Sequence, residues 1–216
     1  MQTFRVLDDL YMFSSYVEPI DLTFNQYLLL TEAPVLIHTG NRALAATLAP
    51  ALKQVLGDRS LGHVFISHFE ADECGGLQFL QAEFPGLEPL CSAVTARQLA
   101  GFGLAGEAAV RGPEEGFQSP GLSLQFIGYP SEMHLWEGLL ALETKRGILF
   151  GSDLFLRRGP LPAPVVESDW PAEVEGITPE QIPDPSGRER LRQTLSRLTP
   201  AMVAPGHGPC LRLRPE

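Results

Sequence analysis

The chain has 216 residues, with 16 lysines and arginines against 26 aspartates and glutamates, and a formal net charge of −10. Binding to nucleic acid or to an anionic membrane surface needs a basic face, so this charge argues against both kinds of partner. The hydrophobic fraction of 44% and the charged fraction of 19% are ordinary for a globular protein. We therefore expect a single domain over residues 1–216 with a sizeable core.

Features that determine the cellular compartment are few. No apolar run approaches the length of a membrane span, and the N-terminus lacks the pattern of a secretory signal. The three cysteines, Cys74, Cys91 and Cys210, form no CxxC pair, which indicates neither a disulfide framework nor a zinc knuckle. A cytoplasmic location is the simplest expectation.

Apolar periodicity predicts strands and helices in alternation along the chain. The predicted strands are residues 5–13, 26–30, 35–37, 63–67, 90–94, 122–126, 139–142, 148–150 and 201–204, and the predicted helices are residues 41–57, 77–84, 95–102 and 186–198. Pro50 interrupts the first helix, so we expect a kink or two short helices there. This order fits sheets covered by helices.

Two segments are predicted to be loops. Residues 159–186 contain seven prolines and six acidic residues but no lysine or arginine, which predicts an irregular surface loop. Residues 112–120 are the second predicted loop. Ser186 followed by Glu189 is typical of a capping box, so we expect the last helix to begin there.

The segment most indicative of chemistry is Ile-Ser-His-Phe-Glu-Ala-Asp-Glu-Cys-Gly-Gly, residues 66–76, where a predicted strand gives way to a helix. His68, Glu70 and Asp72 alternate, so an extended loop would present their side chains on one side. Imidazole nitrogen and carboxylate oxygen at close range suit a borderline-hard cation. Taken alone, the segment is equally compatible with a solvated acidic loop.

Three further side chains of ligand type follow predicted strands. They are His134, Asp153 and His207, the last in a Pro-Gly-His-Gly turn. A turn beside a rigid strand can position a ligand accurately. The four segments together favour a metal site over a solvated loop.

Taken together, the motifs resemble the metallo-β-lactamase superfamily, and within it the diiron domain of flavodiiron proteins, in the form of a stand-alone oxygen-binding diiron protein. Flavodiiron proteins carry HxExDH where the zinc hydrolases carry HxHxDH, and residues 68–73 read His-Phe-Glu-Ala-Asp-Glu. His134, Asp153 and His207 match the later ligands of that family. The resemblance implies an α/β fold, an αββα sandwich of two mixed β-sheets packed face to face with helices outside.

The resemblance also implies a pair of metal ions and their ligands. The implied assignment is His68, Glu70 and His134 on one metal, Asp72, His207 and Glu73 on the other, and Asp153 bridging the two. Up to four carboxylates near one point would repel one another without bound cations. Oxygen-rich ligation with some imidazole suits iron or manganese better than zinc. We therefore expect two iron ions, with zinc and manganese as alternatives.

Three features depart from the family pattern. Glu73 stands where the family has histidine, and it either ligates or turns away and leaves an open position. His38 stands where the superfamily usually has aspartate, and a structural histidine that holds its loop by hydrogen bonds is favoured over a ligand. The sequence after His207 contains no flavodoxin-like domain and no rubredoxin-like cysteine set, so we expect no flavin bound by this chain.

The function that the resemblance implies is binding or reduction of dioxygen or nitric oxide, with Asp72 and Asp153 as the catalytic residues. The chain would act as a sensor or carrier, or as an oxidoreductase supplied by a separate electron donor. A signalling partner or a homodimer is also compatible with this reading. The competing reading is a metal-dependent hydrolase in which Asp72 orients a metal-bound hydroxide. A metal-free scaffold is a third reading, which the set of ligand-type residues disfavours.

Overall fold

The computed structural model describes residues 1–104, 107–130 and 137–214. Its strands are divided between two sheets. The first sheet has the order β1-β2-β3-β4-β5-β6-β7 and the second has the order β12-β14-β13-β11-β10-β9-β8. The strands are β1 (Gln2–Arg5), β2 (Leu10–Val17), β3 (Leu22–Leu29), β4 (Val35–Ile37), β5 (His63–Phe65), β6 (Glu88–Cys91), β7 (Ala109–Val110), β8 (Gly116–Ser119), β9 (Leu122–Pro130), β10 (Glu137–Glu143), β11 (Ile148–Ser152), β12 (Val165–Ser168), β13 (Met202–Pro205) and β14 (Cys210–Leu213).

Both sheets are mixed. In the first, β1 to β4 pair antiparallel and β4 to β7 pair parallel. In the second, β8 to β11 pair antiparallel, whereas β11 pairs parallel with β13. The parallel pairing of β11 with β13 matters for function, because the carboxyl ends of both strands then meet at one edge.

The helices lie outside the two sheets. They are α1 (Arg42–Leu56), α2 (Ala71–Cys74), α3 (Leu77–Glu83), α4 (Ala93–Gly101), α5 (Trp170–Glu175) and α6 (Pro185–Leu195). Alternate residues of each strand point to opposite sides. Phe65 and Phe126 stack in the core between the sheets, at 5.5 Å between ring centroids. Val64 packs instead with the helices on one outer face, and Leu140 with those on the other. The predicted αββα sandwich is confirmed.

The first helix shows how local sequence signals act. Asn41 caps α1 by accepting a hydrogen bond from the Leu44 backbone N–H at 2.9 Å, as its position predicts. The helix continues through Pro50 as one 15-residue element, so the prediction of two short helices is wrong there. Buried Leu48 and Leu52 on the same face stabilise it against the sheet. None of the helices in the described ranges is long and apolar enough to cross a membrane.

The proline-rich segment is more ordered than its composition predicts. Residues 159–186 include β12, which pairs with β14, and helix α5, so the prediction of an irregular surface loop is wrong. Trp170 is buried and donates from its indole N–H to the Leu198 carbonyl at 3.0 Å. Helix α6 is capped by Asp184, which accepts from the Gly187 N–H at 2.6 Å, and not by a capping box at Ser186. The helix begins at Pro185, a residue suited to the first helical position.

Two short strands have no clear signal in the sequence. Strand β8 lies within residues 112–120, which the composition predicts to be a loop, and pairs with β9 through four residue pairs. Strand β14 follows the His207 turn and pairs with both β12 and β13. Both strands are four residues long, too short for a clear period-two alternation.

Candidate metal centre

Three of the candidate ligands follow the carboxyl ends of strands that pair in parallel. His68 follows β5, while Asp153 and His207 follow β11 and β13. Because β11 and β13 are neighbours, Asp153 and His207 emerge side by side, and the Gly206 N–H donates to the Ser152 carbonyl at 2.7 Å. The two sheets thus present their ligands to one space.

The loop that carries His68 turns tightly into helices α2 and α3. A Cβ at Gly76 would lie 2.5 Å from the Ala45 Cβ of α1, so only glycine allows this approach. The Gly76 N–H donates to the Gly40 carbonyl at 2.8 Å, and the Thr39 N–H donates to the Glu73 carbonyl at 2.8 Å. These bonds fix α2, which carries Asp72 and Glu73.

Asp153 lies between the two histidines. Its Oδ2 is 3.2 Å from His68 Nε2, and its Oδ1 is 3.4 Å from His207 Nε2. Glu70 Oε1 lies 3.4 Å from His68 Nε2, and Asp72 Oδ2 lies 3.5 Å from His207 Nε2. His68 therefore faces Glu70 and one oxygen of Asp153, and His207 faces Asp72 and the other oxygen of Asp153.

Glu73 occupies a central place in this arrangement. The described residues contain two groups whose ligand atoms lie within 4.8 Å of one another: His68, Glu70 and Glu73 in one, and Asp72, Glu73 and His207 in the other. The Glu73 side chain is 2% exposed, and its Oε2 lies 3.9 Å from His68 Nε2. The structure places Glu73 in both groups, whereas the family resemblance associates it only with Asp72 and His207. Ligation by Glu73 stays a prediction.

His134, the remaining candidate ligand, lies within residues 131–136, outside the described residues. Its assignment stays a prediction. The other six candidate residues meet at one place although up to 139 sequence positions separate them, counted from His68 to His207.

Several buried polar atoms at this place lack a hydrogen-bond partner among the described residues. They are His68 Nε2, Glu70 Oε1, Glu73 Oε2 and Asp153 Oδ1. A buried polar atom without a partner costs about 1–3 kcal/mol, and more when it is charged. Four such atoms that face one space are satisfied together if cations bind there. The donor set, two imidazoles and four carboxylates, therefore fits a pair of metal ions.

The pKa shifts describe the same crowding of charge. Burial raises the pKa of Asp72, and the nearby Asp153 raises it further. Burial also raises the pKa of Glu73 well above its usual value. Burial alone would raise the pKa of Asp153, but the adjacent His207 and His68 outweigh burial and hold this pKa below its usual range. Bound cations would neutralise these carboxylates in place of protons.

The outer nitrogen of His207 is fixed by the opposite sheet. His207 Nδ1 lies 2.8 Å from the Thr23 carbonyl oxygen, which can only accept, so Nδ1 carries the proton and Nε2 is left free to ligate. The Gly208 N–H donates to Thr23 Oγ1 at 2.7 Å. The Phe24 ring packs edge-on against the His207 imidazole, with 5.1 Å between the ring centroids. Strand β3 thereby orients a ligand of the other sheet.

The outer nitrogen of His68 meets three hydroxyl groups. Ser67 Oγ, Tyr129 Oη and Ser152 Oγ lie 3.0, 3.2 and 3.3 Å from Nδ1. Ser67 and Ser152 were not singled out by sequence analysis, although each directly precedes a candidate ligand at a strand end. That position is the signal that identifies them.

His38 is held by hydrogen bonding and belongs to neither ligand group. Its Nε2 lies 2.9 Å from Ser67 Oγ, and its Nδ1 lies 4.0 Å from Glu73 Oε1. Burial and then His68 lower the pKa of His38 to about 3, so the imidazole is neutral. His38 and Ser152 have φ angles of 62° and 50°, a left-handed conformation that is uncommon outside glycine and concentrates at functional sites.

Solved structures share this fold at low sequence identity. A metal-soaked flavodiiron core from Synechocystis has a TM-score of 0.79 and 20% identity over 98% of this chain and 57% of its own. A flavoprotein from Thermotoga maritima has a TM-score of 0.81 and 21% identity over 98% and 57%. A metallo-beta-lactamase from Pontibacter korlensis has a TM-score of 0.70 and 20% identity over 97% and 92%. The chain thus spans 57% of the length of the flavodiiron core and of the flavoprotein.

Sequence comparison assigns the family. Among curated proteins, no sequence matches the chain. The family model described as "ODP family beta lactamase" matches residues 22–208, which include all seven candidate ligands. The predicted membership of the metallo-β-lactamase superfamily is confirmed, and the chain shares its fold with flavodiiron cores. The chain therefore belongs to the ODP family of beta-lactamase-fold proteins.

Proposed function

We propose that this chain binds two metal ions and, with iron bound, binds or reduces dioxygen or nitric oxide. The observation that carries the proposal is the placement of Asp153. One of its oxygens lies 3.2 Å from His68 Nε2 and the other lies 3.4 Å from His207 Nε2. A carboxylate divided in this way between two imidazoles suits a ligand that bridges two metals.

The remaining ligands divide between the two sides of Asp153. His68 and Glu70 would hold one metal, and we assign His134 to the same metal. Asp72 and His207 would hold the second. Glu73 lies beside both groups, and we assign it to the second metal, where the family has histidine.

The donor chemistry favours iron. The described ligands are two imidazoles and four carboxylates. An oxygen-rich set of this kind suits iron or manganese, whereas zinc is favoured by sets rich in thiolate and imidazole. A ferrous pair supplies the electrons for chemistry on a diatomic molecule. The flavodiiron cores that share the fold support this choice, since their name states two irons.

The protein determines which side of the centre is open. The side chains of Glu70 and Asp72 are 23% and 20% exposed, whereas those of His68, Glu73 and His207 are 7% exposed or less. Among the described ligands, Glu70 and Asp72 are therefore the most accessible to solvent and to a small molecule. The buried side keeps water away from both imidazoles.

The second candidate function is metal-dependent hydrolysis. The family description and the fold shared with a metallo-beta-lactamase favour it. In that case the metals would generate a hydroxide at neutral pH, and the solvent-facing Asp72 would orient it. The two functions differ in their needs, since hydrolysis requires no electrons and proceeds with zinc.

The test begins with the metals themselves. Protein prepared without oxygen and supplied with iron should contain two irons per chain by elemental analysis, and its absorption spectrum should change when air is admitted. Asp58→Asn, which alters an exposed carboxylate on a distant turn, is the matched control and should behave as the parent. A single zinc per chain with zinc-dependent cleavage of an ester or lactam, and no response to oxygen, would instead establish the hydrolase.

A further inference from the structure

A chain of buried hydroxyl groups links Tyr129 to His38 beneath the candidate metal centre. Tyr129 Oη lies 2.8 Å from Ser152 Oγ, Ser152 Oγ lies 2.7 Å from Ser67 Oγ, and Ser67 Oγ lies 2.9 Å from His38 Nε2. All four side chains are buried. Tyr129 and Ser152 lie on strands β9 and β11 of the second sheet, whereas His38 and Ser67 follow strands β4 and β5 of the first, so the chain of hydroxyl groups runs from one sheet to the other.

The direction of these hydrogen bonds follows from counting hydrogens. When a metal binds His68 Nε2, the proton of the imidazole must be on Nδ1, which can then only donate to the three hydroxyls. Tyr129 then has one acceptor left in the described contacts, Ser152 Oγ. Since each oxygen–oxygen contact holds one hydrogen, Ser152 must donate onward to Ser67.

The same count settles the last link. The contact between Ser67 and Ser152 already holds a hydrogen, and His68 Nδ1 is a donor. The hydroxyl of Ser67 is therefore left with His38 Nε2 as its acceptor. A neutral imidazole that accepts at Nε2 carries its proton on Nδ1. In His38 that nitrogen faces Glu73 Oε1 at 4.0 Å.

We propose that Tyr129, Ser152 and Ser67 form a one-way hydrogen-bond chain that fixes the His38 proton on Nδ1, so that His38 presents an N–H and not a lone pair to Glu73. The inference rests on the proposed ligation of a metal by His68. Glu73 Oε1 then faces the His38 N–H, while Oε2, which has no hydrogen-bond partner in the described contacts, faces the centre. Ser67 and His38 are positioning residues, because neither is a ligand.

Two members of the hydroxyl chain, His38 and Ser152, have an unusual backbone conformation. His38 and Ser152 keep left-handed φ angles of 62° and 50°, which cost energy for residues with a side chain. Ser67 and Ser152 meet only because the strands that carry them end opposite one another on different sheets. Serine at both positions lets the two side chains hydrogen-bond to each other at 2.7 Å inside the core, which hydrophobic residues could not do.

The test measures where the His38 proton lies. We would load ¹⁵N-labelled protein with Zn²⁺, which is diamagnetic, and record long-range ¹H–¹⁵N spectra of the imidazoles. His68 Nε2 should show the shift of a metal-bound nitrogen, and His38 should carry its proton on Nδ1. A metal-bound His68 together with a proton on His38 Nε2 would overturn the inference alone. Absence of metal from His68 would overturn the proposed function as well.

Variants test the direction of the chain. Ser67→Ala removes the donor to His38, so His38 should populate both tautomers. Tyr129→Phe removes only the first donor and should leave the His38 proton on Nδ1. Tyr16→Phe is the control, because it removes an exposed hydroxyl that donates a hydrogen bond to Asp21. It should leave the tautomers of His38 and His68 unchanged. An unchanged His38 tautomer in folded Ser67→Ala would reject the chain, and the parent measurement decides the question even where that variant does not fold.

Discussion

His207 donates a hydrogen bond from Nδ1 to the backbone carbonyl of Thr23 at 2.8 Å. The bond joins a turn at the end of the second sheet to strand β3 of the first. The geometry of the candidate centre therefore depends on how the two sheets are held together, and not only on the ligands. Asn25, two residues further along β3, makes the next contacts across this junction.

Asn25→Ala should loosen the junction. The buried Asn25 amide donates to the Gly208 carbonyl at 2.7 Å and to the Pro205 carbonyl at 3.2 Å, and alanine would leave both acceptors without this partner. We expect a loss of about 1–3 kcal/mol in the free energy of unfolding, measured by denaturant titration of metal-free protein. Metal bound by His207 should also dissociate more readily.

Thr47→Ala is the control for this change. Thr47 is exposed on α1 and donates only to the Leu44 carbonyl of its own helix, so its loss should alter the free energy of unfolding by less than about 0.5 kcal/mol. An Asn25→Ala protein as stable as the Thr47→Ala control would show that the junction contributes nothing to the fold.

Asp153→Asn and Asp72→Asn should differ in the number of metals lost. Asp153 faces both histidines, so its amide variant should weaken the whole pair, whereas Asp72 faces only His207. Elemental analysis after dialysis should give close to zero metals for Asp153→Asn and close to one for Asp72→Asn. Full metal content in Asp153→Asn would refute the bridging role.

Ligand positions at strand ends were predictable because a strand is a local signal. His68, Asp153 and His207 each follow an apolar run, and a polar side chain at such an end lies at the edge of a sheet. Local sequence patterns did not predict that these three residues lie close together. Their proximity depends on β11 pairing parallel with β13, a contact between residues more than fifty positions apart, which the resemblance to a family supplied and periodicity did not.

Contacts between distant segments of the site were not predictable for a physical reason, even where the position of a residue next to a ligand was visible in the sequence. Ser67 and Ser152 acquire their role only by meeting across the core at 2.7 Å, and no pattern within either segment encodes that contact. The order in residues 159–186 likewise comes from Trp170 and Val174 packing on the second sheet, which overrides the many prolines. Glu73 was assigned to one metal by analogy, whereas its short helix places it beside both groups.

Glu73→Ala should lower metal occupancy on the side of Asp72 and His207 and leave the side of His68 and Glu70 filled. The side follows from the family pattern, in which a histidine ligand of the second metal stands at this position, and the buried Glu73 Oε2 has no hydrogen-bond partner in the described contacts and is available to ligate. Glu73→Gln is the matched variant, because it keeps the volume and removes the charge. Loss from the His68 side would reassign Glu73 to the other metal, and an unchanged stoichiometry in both variants would remove it from the ligand set.

The last prediction separates oxygen chemistry from hydrolysis. If the chain carries an iron pair and no flavin, the reduced protein can react only until its own electrons are spent. We therefore expect one rapid change in absorption when the diferrous protein meets air, and no sustained oxygen uptake with NADH or NADPH alone. A flavin reductase or a rubredoxin-type donor should restore turnover in an oxidoreductase, whereas a sensor should stay slow with either.

Asp153→Asn supplies the control for this experiment, since a protein that has lost its metals should show neither the absorption change nor any donor-dependent uptake. Zinc-loaded parent protein should be equally silent toward oxygen, because zinc has no accessible redox change. If the zinc form instead cleaves a thioester, phosphoester or lactam with many turnovers in air, and the diferrous form ignores both oxygen and nitric oxide, the electrons are irrelevant to the function. In that case Asp72 would act by orienting a hydroxide, and the iron-favouring donor set would have to be explained by metal availability alone.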